Sequence, residues 1–498
     1  MNAKRPNQQL MLPFATQGPG EARAQRPQGV EALKTAEEAE RPVTSNDALM
    51  EAVCSNSNVQ AALRHVVANK GAPGVDGMTV HKLEAYWNDH RSQIVIQLKS
   101  GTYRPQPVRR VKIPKPAGGV RKLGIPTVLD RLIQQAVLQV LQPIWEPTFS
   151  EHSYGFRPKR SAHQAIRQAQ TYIREGREWV VDMDLEKFFD QVNHDKLMAS
   201  VARRITDKRV LKLIRAYLNA GVMENGLVSP STEGTPQGGP LSPLLSNIVL
   251  DALDRELERR GHAFVRYADD CNVYVRSERA GRRVMEGITA FITRKLKLKV
   301  NIAKSAVDRP SRRTFLGFTF SVRKVSRLVG KQALRRFKAR IRELTRRRRR
   351  VHALQMIEEL TVYLRGWVGY FGRGEDYWTL RDLDSWIRRR LRAVAWYAWR
   401  RPRKRFRELL KRGVPTGDAA VAVRRYRNPW RASTDRALEH ALPVSLWTKL
   451  GLLNLRTTWR AMNTQPPNRR VRTRMPGGVG GVGPQGPPLS RSQHEVLG

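Results

Sequence analysis

Two adjacent acids, Asp269 and Asp270, close a tetrapeptide Tyr267-Ala268-Asp269-Asp270 that sits between two apolar runs, Ala263-Phe264-Val265-Arg266 and Cys271-Asn272-Val273-Tyr274-Val275. The pattern reads as a hairpin with acids at its tip. Neighbouring carboxylates repel each other and resist desolvation. A bound divalent cation removes that cost. The first expectation is therefore metal-assisted phosphoryl or nucleotidyl transfer. Mg²⁺ takes about six oxygen ligands and keeps waters and substrate phosphates among them, so holding two ions calls for a third protein ligand. In Val180-Val181-Asp182-Met183-Asp184-Leu185 the acids alternate with apolar residues, as on a strand that carries acids on one face. Asp184 is chosen as that ligand. Asp182 and Asp190 stand as supporting acids, and the pair Phe188-Phe189 could pack beneath a sugar.

Two further segments suit a phosphorylated ligand. Thr235-Pro236-Gln237-Gly238-Gly239-Pro240 sets two glycines beside an amide, which permits close backbone approach. Val108-Arg109-Arg110-Val111-Lys112-Ile113-Pro114-Lys115 carries cations on a stiff hairpin, suited to triphosphate oxygens. Taken singly each motif has a bland reading: an acidic turn, a solvated strand face, a plain turn, a solvated basic face. Their joint occurrence, in this order, outweighs those readings.

The elements that must position these residues follow from pattern. Leu49, Val53, Val59, Leu63 and Val67 have helical spacing, and Gly71 to Gly77 is a turn. Tyr103 to Ile125 reads as a hairpin, with strands at 108–113 and 120–124. Helices are expected from Asp130 to about Leu141, over 161–175 and through 195–222, with a strand over 178–185. Beyond Phe320 helical segments continue, and basic residues alternate with aromatics such as Trp386, Trp396 and Trp399. Arg346 to Arg350 are five consecutive arginines.

Composition sets the partner. The 498 residues carry a net charge of +47, and 40% are hydrophobic. That is enough apolar material for real cores and a length expected of about three domains. A field of this sign attracts a polyanion and gives strong, salt-dependent binding. No run of about 18 apolar residues is present, so nucleic acid rather than a membrane is the expected partner. Two cysteines, Cys54 and Cys271, exclude a disulfide framework and any multi-cysteine zinc module. Glu21, Glu31, Glu37, Glu38 and Glu40 argue against a mitochondrial leader, and a cytoplasmic location is expected.

At these residues the chain resembles reverse transcriptases, and most closely the bacterial group II intron-encoded reverse transcriptase/maturases. Gly71 to Gly77 is similar to the family's N-terminal extension motif, and Ser153-Tyr154-Gly155-Phe156-Arg157-Pro158 to its template-side fingers block. Leu296 to Asn301 with Lys304, Phe315-Leu316-Gly317-Phe318, and Arg365-Gly366-Trp367-Val368-Gly369-Tyr370-Phe371 resemble the block after the catalytic hairpin, the primer grip and the maturase thumb. The resemblance implies Asp184, Asp269 and Asp270 as metal ligands for two Mg²⁺ ions, with Mn²⁺ as an alternative. It implies Arg109 and Lys115 on the triphosphate, Gln237 near the incoming nucleotide and Phe189 against the ribose 2′-hydroxyl. Lys304 is implied as a proton donor to pyrophosphate, and Phe315, Leu316 and Gly317 as the primer grip. Many relatives append a Cys/His endonuclease module. No cysteine follows Cys271, so strand nicking is not expected and priming from a replication-fork strand is.

The reading is an α+β right-hand polymerase: fingers and palm with an antiparallel sheet over 46–320, and a helical thumb/maturase domain over 321–415. A small basic DNA-binding region over 416–462 follows, with disordered segments at 1–45 and 463–498. The expected partners are group II intron RNA, DNA target and primer, and dNTPs, with a homodimer as an option. The rival readings are a splicing cofactor whose polymerase has decayed and a retron or diversity-generating reverse transcriptase. The complete acid triad weighs against the first, and the long maturase thumb against the second.

Overall fold

The computed structural model describes residues 48–114, 119–224, 227–229, 233–234, 238–347, 349 and 351–464. Lys115, Gln237, the N-terminal segment, two residues of the arginine run and all but the start of the C-terminal tail lie outside them.

Among the described residues ten strands form three sheets. In chain order they are β1 (Val108–Pro114), β2 (Val120–Ile125), β3 (Trp179–Met183), β4 (Val222–Glu224), β5 (Leu227–Ser229), β6 (Ala263–Tyr267), β7 (Asp270–Val275), β8 (Ala306–Asp308), β9 (Phe318–Phe320) and β10 (Arg327–Val329). The sheet that matters for chemistry has the order β6-β7-β3-β8, antiparallel throughout. Its side chains alternate between faces. Val181, Met183, Phe264 and Val273 join the larger core, which includes Leu132, Leu141, Leu197 and Leu253 from the surrounding helices. Val180, Val265 and Tyr274 pack on the other face with Tyr154, Ile166, Phe315 and Phe318. Buried on both faces, this sheet offers its chemistry only at strand ends.

The β1–β2 hairpin projects from a second sheet, in which β1 runs parallel to β4. A buried carboxylate ties it down. Asp130 accepts hydrogen bonds from Thr127 Oγ1 (2.7 Å), Tyr103 Oη (2.9 Å) and the Gln106 backbone N–H (3.2 Å). Burial raises its pKa while these donors oppose the rise. Local signals set the helix starts. Thr127 caps helix Val128–Trp145, and Ser161 with Gln164 forms a capping box on helix Ala162–Arg174.

From Val329 to Leu455 one further core gathers helices Lys331–Leu344, Ala353–Phe371, Tyr377–Ala398 and the shorter helices that follow. Trp396 and Trp399 are buried in it, and Arg405 and Arg412 stack over their rings. Trp386 is half-buried between Arg342 and Arg390. Alternation of aromatics and cations here therefore builds a packed interior with guanidinium lids. No helix among the described residues is long and apolar enough to cross a membrane.

Candidate active site

Strand register brings the acids together. Met183 of β3 lies opposite Cys271 of β7, so continuing the antiparallel register by one residue sets Asp184 opposite Asp270. The period of two puts Asp182, Asp184, Asp270 and Asn272 on one face. The sequence-chosen ligand thus meets the hairpin at the sheet's end. The loop after the hairpin grips Asp184 by its backbone: its N–H donates to Ser305 Oγ (3.0 Å), and its carbonyl accepts from the Asn301 N–H (2.8 Å). Lys304, from the same loop, places Nζ 3.2 Å from Asp184 Oδ2.

Asp269 and Asp270 flank the end of a two-residue turn, since Tyr267 pairs with Asp270. Ala268 takes a left-handed φ of 57°, which the first central residue of a tight hairpin turn requires. The cluster is electrostatically strained. Burial, then the carboxylates of Asp269, Asp182 and Asp184, push the Asp270 carboxyl up to about 7, with Lys304 opposing. Asp270 still keeps an exposed edge. Asp269 is also raised, by burial and then Asp184, and Arg121 of β2 opposes the rise. Asp182 is raised by burial too, and Arg313 opposes the rise: its Nε donates to Asp182 Oδ2 at 2.8 Å and its Nη2 lies 2.6 Å from the same oxygen. Asp182 is thus held in a close, partly buried ion pair, whereas the partner of Asp184 is the exposed Lys304, and Asp184, Asp269 and Asp270 stand at the end of the sheet.

Three crowded carboxylates are hard oxygen donors whose mutual repulsion a divalent cation relieves, so the residues fit such an ion. Among the described residues no group of three or more His, Cys, Asp or Glu forms a ready-made cage.

The other sequence candidates are placed as follows. Phe189 is half-buried and meets Phe188 edge-on at 5.2 Å. Asp190 is exposed on the same short helix, Phe188–Gln191. Arg109 lies opposite Ile125 at the hairpin base, beside Arg131. The fingers cation that bears on Asp269 is Arg121, which the sequence reading passed over; it alternates with Lys122 in a strand of mixed exposure and carries no local mark. Phe315 and Phe318 exchange backbone hydrogen bonds (2.8 and 2.9 Å), so Leu316 and Gly317 form a two-residue turn with φ of 49° and 84°. Tyr370 Oη donates to Leu316 O (2.8 Å) and the Phe371 ring covers Gly317. The Phe315-Leu316-Gly317 turn is therefore docked on helix Ala353–Phe371.

Comparison with known proteins places this geometry in a family. Residues 113–320 match the reverse transcriptase (RNA-dependent DNA polymerase) family. Residues 334–413 match the group II intron maturase-specific domain. Protein YkfC of Escherichia coli is 37% identical over 49% of this chain and 75% of its own length. The group II intron-encoded protein LtrA of Lactococcus lactis is 42% identical over 39% of this chain and 32% of its own. An uncharacterized 91 kDa protein in the cob intron of Schizosaccharomyces pombe is 39% identical over 38% of this chain and 24% of its own. The chain thus spans three quarters of YkfC but a third or less of the two intron proteins. A palm sheet ending in three acids, followed by a helical segment that matches the maturase domain, makes this chain a member of the group II intron reverse transcriptase/maturase family.

Proposed function

We propose that this protein is an RNA-directed DNA polymerase that binds its parent group II intron RNA, assists its splicing and copies it into DNA. The observation that carries the reading is the meeting of Asp184 with Asp269 and Asp270 at the end of the β3–β7 register. These three would hold two Mg²⁺ ions. When bound, the ions supply acidification of the primer 3′-hydroxyl and charge neutralisation at the leaving pyrophosphate. The chain's own residues orient the reactants. Phe189 crowds the 2′-position and so favours deoxynucleotides. Arg109 and Arg121 on the β1–β2 hairpin, together with Lys115, take the triphosphate, with Gln237 near the incoming nucleotide. Lys304, 65% exposed and paired with Asp184, donates a proton to pyrophosphate. The Phe315-Leu316-Gly317 turn, fixed by Tyr370, holds the primer end. Splicing help needs no protein catalytic group, because a folded RNA can carry that chemistry. The net charge of +47 supplies counter-charge for it.

The domain reading follows the same division: fingers and palm to about residue 320, a thumb to 415, and a basic DNA-contacting region to 462. Primer extension on an RNA template with dNTPs and Mg²⁺ tests the polymerase, and intron splicing at low Mg²⁺ tests the maturase. Asp269→Ala with Asp270→Ala is expected to abolish DNA synthesis and to leave splicing largely intact. Equal loss of both activities would show the acids to be structural.

A further inference from the structure

The residue that opens the catalytic tetrapeptide is preceded by Arg266, which is 0% exposed. A guanidinium carries five N–H donors in a fixed plane, and here each finds an acceptor. Nε donates to Asp254 Oδ1 (2.7 Å) and Nη2 to Asp254 Oδ2 (2.6 Å). The second Nη2 hydrogen goes to Ser153 Oγ (2.8 Å). Nη1 donates to Asn247 Oδ1 (3.0 Å) and to the carbonyl of Ala268 (2.9 Å). Asp254 is also fully buried, and both Asp254 and Asn247 belong to helix Ser242–Arg259.

The partners converge on the turn. Asn247 Nδ2 donates to the carbonyl of Gly155 (2.9 Å). A Cβ on Gly155 would overlap the backbone nitrogen of Ala268. The backbone N–H of Tyr154 donates to Arg266 O, and that of Arg266 to His152 O, both at 2.9 Å. Ala268 itself sits in the left-handed region, which disfavours a residue with a Cβ by about 1–2 kcal/mol and persists only where surroundings over-determine it. Asp254 takes two of the five donors. The remaining three donors are spent on the turn carbonyl and on two groups that flank it.

We propose that Arg266 is a positioning residue for nucleotidyl transfer: its fork fixes the Ala268 carbonyl to helix Ser242–Arg259 and so sets where Asp269 and Asp270 project. The role rests on reading those two acids as metal ligands. The network thus joins helix Ser242–Arg259, the Ser153–Gly155 segment and the turn that bears Asp269 through one set of hydrogen bonds. Lysine would keep the charge but present three donors from one atom, too few and too convergent for these acceptors.

The test is Arg266→Lys in the full chain. Hydrogen exchange of the peptide spanning 263–275 reads the turn directly, without metal or nucleotide. Exchange at the turn amides is expected to rise at least about tenfold, since its anchoring bond is lost. In DNA synthesis kcat is expected to fall about 10²-fold, the size seen for small misplacements of reacting groups. The half-saturating Mg²⁺ concentration is expected to rise severalfold while primer–template affinity stays within about twofold. Unchanged exchange overturns the proposal, as does faster exchange with unaltered kcat and Mg²⁺ dependence, which would make the network merely structural. A wild-type protein that makes no DNA overturns the polymerase reading itself, and that result is seen before any variant is compared. Should Arg266→Lys lose its helical circular dichroism, Asn247→Ala carries the same comparison. It leaves the Arg266–Asp254 pair and the bond to the Ala268 carbonyl in place but removes the second Nη1 acceptor and the tie to Gly155, so kcat is expected to fall about tenfold; wild-type exchange and kcat in that variant would overturn the proposal.

Discussion

Replacing Asp270 by Asn is expected to make the metal-free protein more stable while destroying its synthesis of DNA. Burial and three neighbouring carboxylates raise the Asp270 carboxyl from 3.8 to about 7. At about 1.4 kcal/mol per pH unit the full linkage is about 4 kcal/mol. Asp270 keeps an exposed edge, where solvent screens the repulsion, so about 1–2 kcal/mol is the expected size. The sign follows from the direction of the shift. A carboxyl whose folded pKa is raised burdens the folded state above its unfolded pKa. The burden grows from about pH 4 to about pH 7 and is complete above that. Thermal unfolding in EDTA at pH 8 should therefore show Asp270→Asn about 1–4 °C above wild type, at roughly 1–2 °C per kcal/mol for a unit of this size. The gap should close as the pH falls towards 4. Added Mg²⁺ should raise the wild-type midpoint and leave the variant where it was. A variant that is less stable at pH 8, or a gap that ignores pH, would refute the claim that the acids are held together against their own repulsion.

Phe189→Ala is expected to lower discrimination between dCTP and CTP at least about tenfold, read as the ratio of kcat/KM values; unchanged sugar selectivity would remove its proposed role. Gly155→Ala is expected to cut DNA synthesis by about 10²-fold or more, because its Cβ would occupy the space of the Ala268 backbone nitrogen and must displace the turn. An active variant would show that the turn tolerates movement. Affinity for RNA or primer–template, measured by filter binding, is expected to drop by about 10³-fold or more between 50 and 200 mM salt. A shallow slope would mean that few of the basic residues reach phosphates.

The acidic hairpin, the acid-bearing strand before it and the basic hairpin of the fingers were legible in the sequence because each is a local pattern. Apolar alternation fixed β3, β6 and β7 to within a residue or two, and the turn had to fall where Ala268 and Asp269 stand. The choice of Asp184 over Asp182 was open to local reasoning only in part. Both lie on one strand face, and what separates them is Arg313, 131 positions away, which holds Asp182 in a close ion pair. Arg121 could not be told from Arg109 for the same reason. Both are cations on one hairpin, and only the packing of that hairpin over the palm decides which bears on Asp269.

What the sequence determined by itself is the inventory: three carboxylates, the strands that carry them, a basic chain for a polyanion and a helical second half. What only the tertiary structure decided is how the inventory is held. Arg266 reads in sequence as one more cation in a chain with 91 lysines and arginines. In the fold it is fully buried, and its five donors are matched by acceptors drawn from Ser153, Asn247, Asp254 and Ala268. A buried charge survives only when such partners arrive together, and they come from segments up to 113 residues apart. No local period encodes that arrival; the close packing of strand, helix and loop does.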